Sequence, residues 1–231
     1  MKIGSTKDHG EDLITHIHDY GIDVNARELW LIPNEWLLLD QEEPEPGVEW
    51  TMAATFLKNL HILMNISDEP ILIHMKTCGG IWEEGIAIYD AIKTCPCAIT
   101  ILSYTHARSM SSLIFSAADK RVMMPHSTFM FHEGEMHYGG TVKQYRTASE
   151  QLKNSGQHML DIYTHVMRRD SDLWKAKTVE ECEEWLKEQM DKKEDVFLDP
   201  AQAIEHGFAD EIFDGDWDSL FDLTEEQRSR H

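Results

Sequence analysis

Along most of the chain, apolar residues come either in short unbroken runs or at helical spacing, and the two patterns alternate. A run at Glu28 to Ile32 suits a strand. From Trp50 to Asn65, Met52, Phe56, Leu60 and Leu63 share one helical face. Ile71, Leu72, Ile73 and Met75 then form a nearly continuous apolar run, as in a strand covered on both sides. Gly79-Gly80 ends that strand, and Ile81, Gly85, Ile88 and Ile92 mark the inward stripe of the next helix. Ala98 to Leu102 reads as a second buried strand, Ser109 to Ala118 as a helix and, after Pro125, Thr128 to Phe131 as a strand. Repeated strand, helix, strand order implies right-handed crossovers, hence an α/β fold with a largely parallel sheet and helices outside.

The second half is more helical. Within a long helix from Val142 to Arg168, Tyr145, Leu152, Met159 and Val166 fall seven apart, and Ala148 and Ile162 extend the seam. That spacing is coiled-coil-like and predicts packing along another helix. Thr178 to Gln189 forms a charged helix, Pro200 to Glu205 a shorter one ended by Gly207, and Ala209 to Phe213 a last strand. Three stretches stand apart from this scheme. Residues 1–25 lack clear periodicity and read as an arm, Asp40 to Pro46 as an exposed loop crowded with prolines and acids, and residues 214–231 as an acidic mobile tail. Residues 26–213 make a single domain.

Composition narrows the function. The 231 residues are 42% hydrophobic, enough for a sizeable core, and 21 basic against 42 acidic residues give a net charge of -21. Such a chain repels a phosphate backbone, so nucleic acid is not an expected partner. The cysteines, Cys78, Cys95, Cys97 and Cys182, match neither a CxxC pair nor a zinc module. No signal-peptide core opens the chain and no run reaches the roughly 18 apolar residues of a membrane span. The expectation is a protein of the reducing cytoplasm, with no membrane partner.

Reactive residues gather at strand-to-helix junctions. Ser109 opens a helix, where the N-terminal field and the backbone N–H of Met110 could serve an oxyanion. Taken alone, such a serine is more often an ordinary helix cap, and Ser111 and Ser112 share the ambiguity. Gly79-Gly80 is either a tight turn or a place where substrate approaches bare backbone. His132 follows the apolar strand TFMF, with His126 and His137 as competitors. Asp191 lies in the charge run MDKKED. No HExxH spacing is present, and no metal or cofactor is expected.

Taken in order, these features resemble the Clp protease proteolytic subunit family, self-compartmentalised serine peptidases of the crotonase-like fold. TCGGIWEEGIAIYDAI is similar to the family's Ser-Pro-Gly-Gly loop and following helix, and ARSMSSLIFSAA to its Ala-Ser-Met nucleophile segment. MPHSTFMFHEG resembles its histidine segment and DVFLDPAQAIEHGFADEI its closing motif. The likeness runs from about Arg27 to Phe213. It implies Ser109 as nucleophile, His132 as general base, Asp191 as orienting acid, and the backbone N–H groups of Gly80 and Met110 as oxyanion donors. Asp195 and Glu194 compete with Asp191.

The resemblance also implies a protruding handle at about 134–168, an axial role for the N-terminal arm, and heptameric rings stacked in pairs. Unfolded protein or peptide would be the substrate, fed by an AAA+ unfoldase that uses the ATP. Several positions depart from the family pattern. Thr77-Cys78 stands where Ser-Pro is usual, Thr105 and Ser111 replace glycines, Arg108 is unusual beside the nucleophile, and the interval from His132 to Asp191 is long. Alternatives are a phage head-maturation protease of the same fold, a crotonase-type acyl-CoA enzyme, and an inactive ring subunit.

Overall fold

A computed structural model describes residues 12–33, 47–135 and 137–230. The expected loop Asp40 to Pro46 and the first part of the expected arm lie outside the described residues. The strands are β1 (Ile22–Asp23), β2 (Glu28–Leu31), β3 (Ile71–Thr77), β4 (Ile99–Arg108), β5 (Lys120–Met123), β6 (Thr128–Phe131), β7 (Val196–Leu198) and β8 (Glu211–Ile212). The helices are α1 (Trp50–Ile66), α2 (Trp82–Lys93), α3 (Met110–Ser116), α4 (Val142–Asp170), α5 (Val179–Lys192), α6 (Pro200–Glu205) and α7 (Glu225–Arg228).

The strands form one sheet in the order β1-β2-β3-β4-β5-β8, with β6 and β7 branching from β4. β2 to β5 and β8 run parallel to their neighbours; the β1/β2 and β6/β7 pairs are antiparallel. β4 pairs with β3 along one edge and is long enough to serve two partners along the other. Its first half pairs with β5, from Thr100 opposite Lys120 to Ser103 opposite Met123, and its last residues pair with β6, from His106 opposite Thr128 to Arg108 opposite Met130. Between these halves the β3/β4 register slips, since Met75 faces Ser103 but Thr77 faces Ala107. Thr105 lies in that irregularity, two residues before Ala107.

The apolar runs fill the core as their lack of alternation implied: Ile71, Ile73, Met75, Ile99 and Ile101 are fully buried. Polar caps set the helix starts. The Glu49 carboxylate accepts the N–H groups of Thr51 and Met52 at 2.8 Å each. Capping boxes Thr141/Gln144, Thr178/Glu181 and Asp199/Gln202 open α4, α5 and α6.

Two boundary readings change. Part of the expected arm belongs to the body, because β1 pairs with β2, Ile22 is buried, and the Asn59 side chain donates to Tyr20 O. The expected mobile tail is folded back. Leu220 is buried against Leu72, Leu102 and Val122, Lys120 Nζ donates to Ser219 O at 3.0 Å, and Arg230 pairs with Asp210 at 2.9 Å. Its acidic composition concealed the few apolar and basic residues that anchor it.

Candidate active site

Ser109 links β4 to α3 with φ 52° and ψ -131°. A non-glycine residue pays about 1–3 kcal/mol for such a conformation and keeps it only when its surroundings enforce it. They do so here. The Ser109 N–H donates to Met130 O at 3.1 Å, and its carbonyl accepts the Ser112 N–H at 3.0 Å and the Ser112 hydroxyl at 2.6 Å. The Ser109 side chain is thereby turned toward β6. His132, the residue after β6, lies with Nε2 2.8 Å from Ser109 Oγ.

The other imidazole nitrogen, Nδ1, is 3.2 Å from Asp195 Oδ1. Here the structure departs from the expected Asp191. Antiparallel pairing sets Phe131 opposite Val196, so one further residue on each strand brings His132 opposite Asp195. Asp191 lies in the last turn of α5, exposed and bordered by Glu184, Lys187 and Glu188. Glu194 is also exposed. The strand β7, too short and too flanked by charge to stand out in the sequence, is what brings Asp195 to the imidazole. His132 keeps 20% of its side-chain exposure and Asp195 45%, so the site is open to solvent on that side.

The glycine pair comes against the serine from the other flank. Gly79 has φ 105°, and a Cβ there would lie 2.7 Å from Ser109 Cβ and 3.0 Å from Oγ. Gly80 has φ 143°, and a Cβ there would collide with the Val48 backbone, which brackets the loop by donating to Gly79 O and accepting from Ile81 N–H. Gly85 leaves the space that the Met110 side chain occupies. Met110 is the first residue of α3, so its N–H is one of those a helix leaves without an internal acceptor. The resemblance singled out Gly80 of the pair as an oxyanion donor, and spacing along the chain gave no measure of which glycine lies against the serine side chain. Gly79 is the one nearest the hydroxyl.

The unusual residues beside Ser109 tie these parts together. Arg108 Nε donates to Cys78 O at 3.2 Å and Ser111 Oγ to Thr77 O at 2.9 Å, so two side-chain bonds hold the loop that carries Thr77-Cys78. Ser111 and Ser112 are fully buried with their hydroxyls engaged, which leaves Ser109 as the serine facing His132. His126 is exposed, and His137 is exposed beside Glu135. Among the described residues no three His, Cys, Asp or Glu side chains converge as metal ligands, and no helix is long and apolar enough to cross a membrane.

A hydroxyl on a strained strand-to-helix turn, an imidazole in hydrogen-bond reach and a carboxylate on the second ring nitrogen define a serine hydrolase. Residues 44–216 match the family model described as Clp protease. The chain is 24% identical over 168 residues to the ATP-dependent Clp protease proteolytic subunit 2 of Pseudomonas aeruginosa, covering 72% of this chain and 77% of that protein. It is 26% identical over 203 residues to the subunit 2 protein of Chlamydia trachomatis serovar D, covering 85% and 90%. A ClpP1 mutant from Listeria monocytogenes shares the fold with a TM-score of 0.66 at 18% identity, covering 85% of this chain and 96% of that one. The chain belongs to the Clp protease family, and its fold and peptidase class are those the four sequence motifs implied.

Proposed function

We propose that the chain hydrolyses peptide bonds of unfolded proteins through an acyl-enzyme on Ser109. As Ser109 Oγ attacks the scissile carbonyl, His132 Nε2 takes its proton, and Asp195 holds the imidazole in the tautomer that makes this transfer work. The developing oxyanion meets the backbone N–H groups of Gly80 and Met110. His132 then protonates the leaving amine, and a water activated by the same nitrogen attacks the ester. The observation that carries this reading is the 2.8 Å approach of His132 Nε2 to Ser109 Oγ on a backbone that must be held in place.

The working form is a heptameric ring, stacked in pairs, that receives chains from an AAA+ unfoldase. Family membership supports this reading, as does an apolar stripe left uncovered on the first half of α4, where Tyr145 and Leu152 are exposed. A triad of this kind speaks against acyl-CoA chemistry, which would need a carboxylate as its acid and base. The test is intact-mass measurement of the assembly with a fluorophosphonate. One adduct per chain on Ser109, with loss of peptide hydrolysis, is the expected result. An adduct on another residue, or no adduct on active protein, overturns the proposal.

A further inference from the structure

Beneath the nucleophile, the described residues hold a chain of hydroxyls that the proposed mechanism does not use. Tyr163, on α4, is fully buried, and its OH lies 2.6 Å from Ser112 Oγ, which in turn lies 2.6 Å from Ser109 O. The direction of these bonds follows from proton count. A carbonyl only accepts, so the one hydroxyl hydrogen of Ser112 goes to Ser109 O, and Tyr163 must supply the hydrogen between the two hydroxyls. Phe129, Phe131 and Phe208 surround the Tyr163 ring at centroid distances of 6.2, 5.9 and 5.6 Å and fix where its OH points. Burial pushes the Tyr163 phenol up from its ordinary value, so it remains a donor through the neutral range.

We infer that Tyr163 is a positioning residue for catalysis, acting through the Ser112 hydroxyl on the Ser109–Met110 peptide. That peptide is planar, so its carbonyl and the Met110 N–H point in opposite directions and cannot turn independently. Holding Ser109 O therefore aims the Met110 N–H, and it also secures the positive φ that presents the serine hydroxyl. The Ser112 N–H, 3.0 Å from the same oxygen, gives a second bond from within α3, so Tyr163 refines an aim that the helix start already sets. The inference rests on the reading of Ser109 as nucleophile and Met110 as oxyanion donor.

Tyr163→Phe removes only the OH. Peptide kcat should fall about tenfold with KM unchanged, because a slightly misdirected donor weakens transition-state contacts more than substrate binding. The rate of fluorophosphonate labelling at Ser109 should fall in step, with assembly mass unchanged. Ser112→Ala breaks the same chain, and the double variant should be no worse than Ser112→Ala alone. Additive losses, a raised KM at unchanged kcat, or equal labelling of wild type and Tyr163→Phe would each overturn the inference while leaving Ser109 as nucleophile. Active wild-type protein that does not label at Ser109 would overturn the nucleophile and the inference together.

Discussion

At Asp195 the question of which carboxylate orients His132 comes down to strand register rather than motif spacing. The motif placed the acid four residues before Asp195, on Asp191, and the sequence held no sign of β7, whose pairing with β6 sets Asp195 against Nδ1. Asp195→Asn should therefore lower kcat by a factor on the order of 10⁴, the loss expected when a serine-protease triad aspartate becomes an asparagine and the imidazole is held in the wrong tautomer, while Asp191→Asn changes stability by no more than about 0.5 kcal/mol. Peptide assays on both variants separate the cases, and a reversed order of damage would return the role to Asp191. Ser109 and His132 stood out as candidates because one opens a helix after a buried strand and the other follows the apolar strand TFMF, within segments that resemble the family's motifs. The loop's support did not stand out, since hydrogen bonds from Arg108 and Ser111 to the carbonyls of Cys78 and Thr77 leave no pattern along the chain. Gly79→Ala tests the closeness of that loop. The new Cβ meets Ser109 and the φ of 105° disfavours any side chain, so turnover should drop about a hundredfold and labelling should slow with it. Labelling at the wild-type rate would show that the loop has room to spare.

Among the elements, the strands and helices with strong periodicity emerged near their expected bounds, β6 and α6 among them. β5 was missed because its sequence, KRVM, begins with two charges, yet Arg121 is fully buried among carboxylates and so behaves as a core residue. The seam of α4 is more instructive. Sevenfold spacing gives Tyr145, Leu152, Met159 and Val166 one common face, but the structure divides it. Met159 and Val166 are buried within the subunit, whereas Tyr145 and Leu152 are exposed at 55% and 41%. One periodic stripe thus passes from exposed to buried along the helix, and periodicity cannot show where the change occurs. Charges placed on the exposed half, Tyr145→Asp with Leu152→Asp, should leave the fold intact and separate stacked rings into single ones, seen as a halved mass by light scattering. Met159→Asp should instead destabilise the subunit by several kcal/mol, because its carboxylate has no partner inside. An unchanged mass for the first pair would mean that the exposed half meets no second ring.

For the molecule as a whole, a net charge of -21 makes the few well-placed cations matter more. Arg121 reaches Asp170 at 2.8 Å and Asp210 at 2.9 Å, and Arg230, from the chain's last turn, reaches the same two carboxylates at 3.2 and 2.9 Å. This cluster joins β5, the end of α4, the turn before β8 and the C-terminal segment. Burial alone would raise the Asp210 pKa, but the Arg121 and Arg230 guanidiniums outweigh it and hold the carboxyl at about 2, below the ordinary 3.8. A depressed pKa in the folded state means that the unfolded chain binds the proton more readily. The contribution is therefore complete above about pH 4 and is lost as pH falls toward 2, amounting to about 2 kcal/mol. Protonating the other carboxylates acts in the opposite direction over part of this range, by relieving the self-repulsion of an acidic chain. A comparison isolates the cluster. Arg230→Met removes one of the two cations, so the Asp210 pKa should rise toward its ordinary value. Urea unfolding between pH 7 and pH 2 should show the variant less stable at neutral pH but losing less stability below pH 4, so that the two curves converge. Curves that stay parallel down to pH 2 would mean that Arg230 does not hold the Asp210 proton off, and that it anchors the C-terminal segment through pH-independent contacts such as its bond to Asp119 O at 2.7 Å.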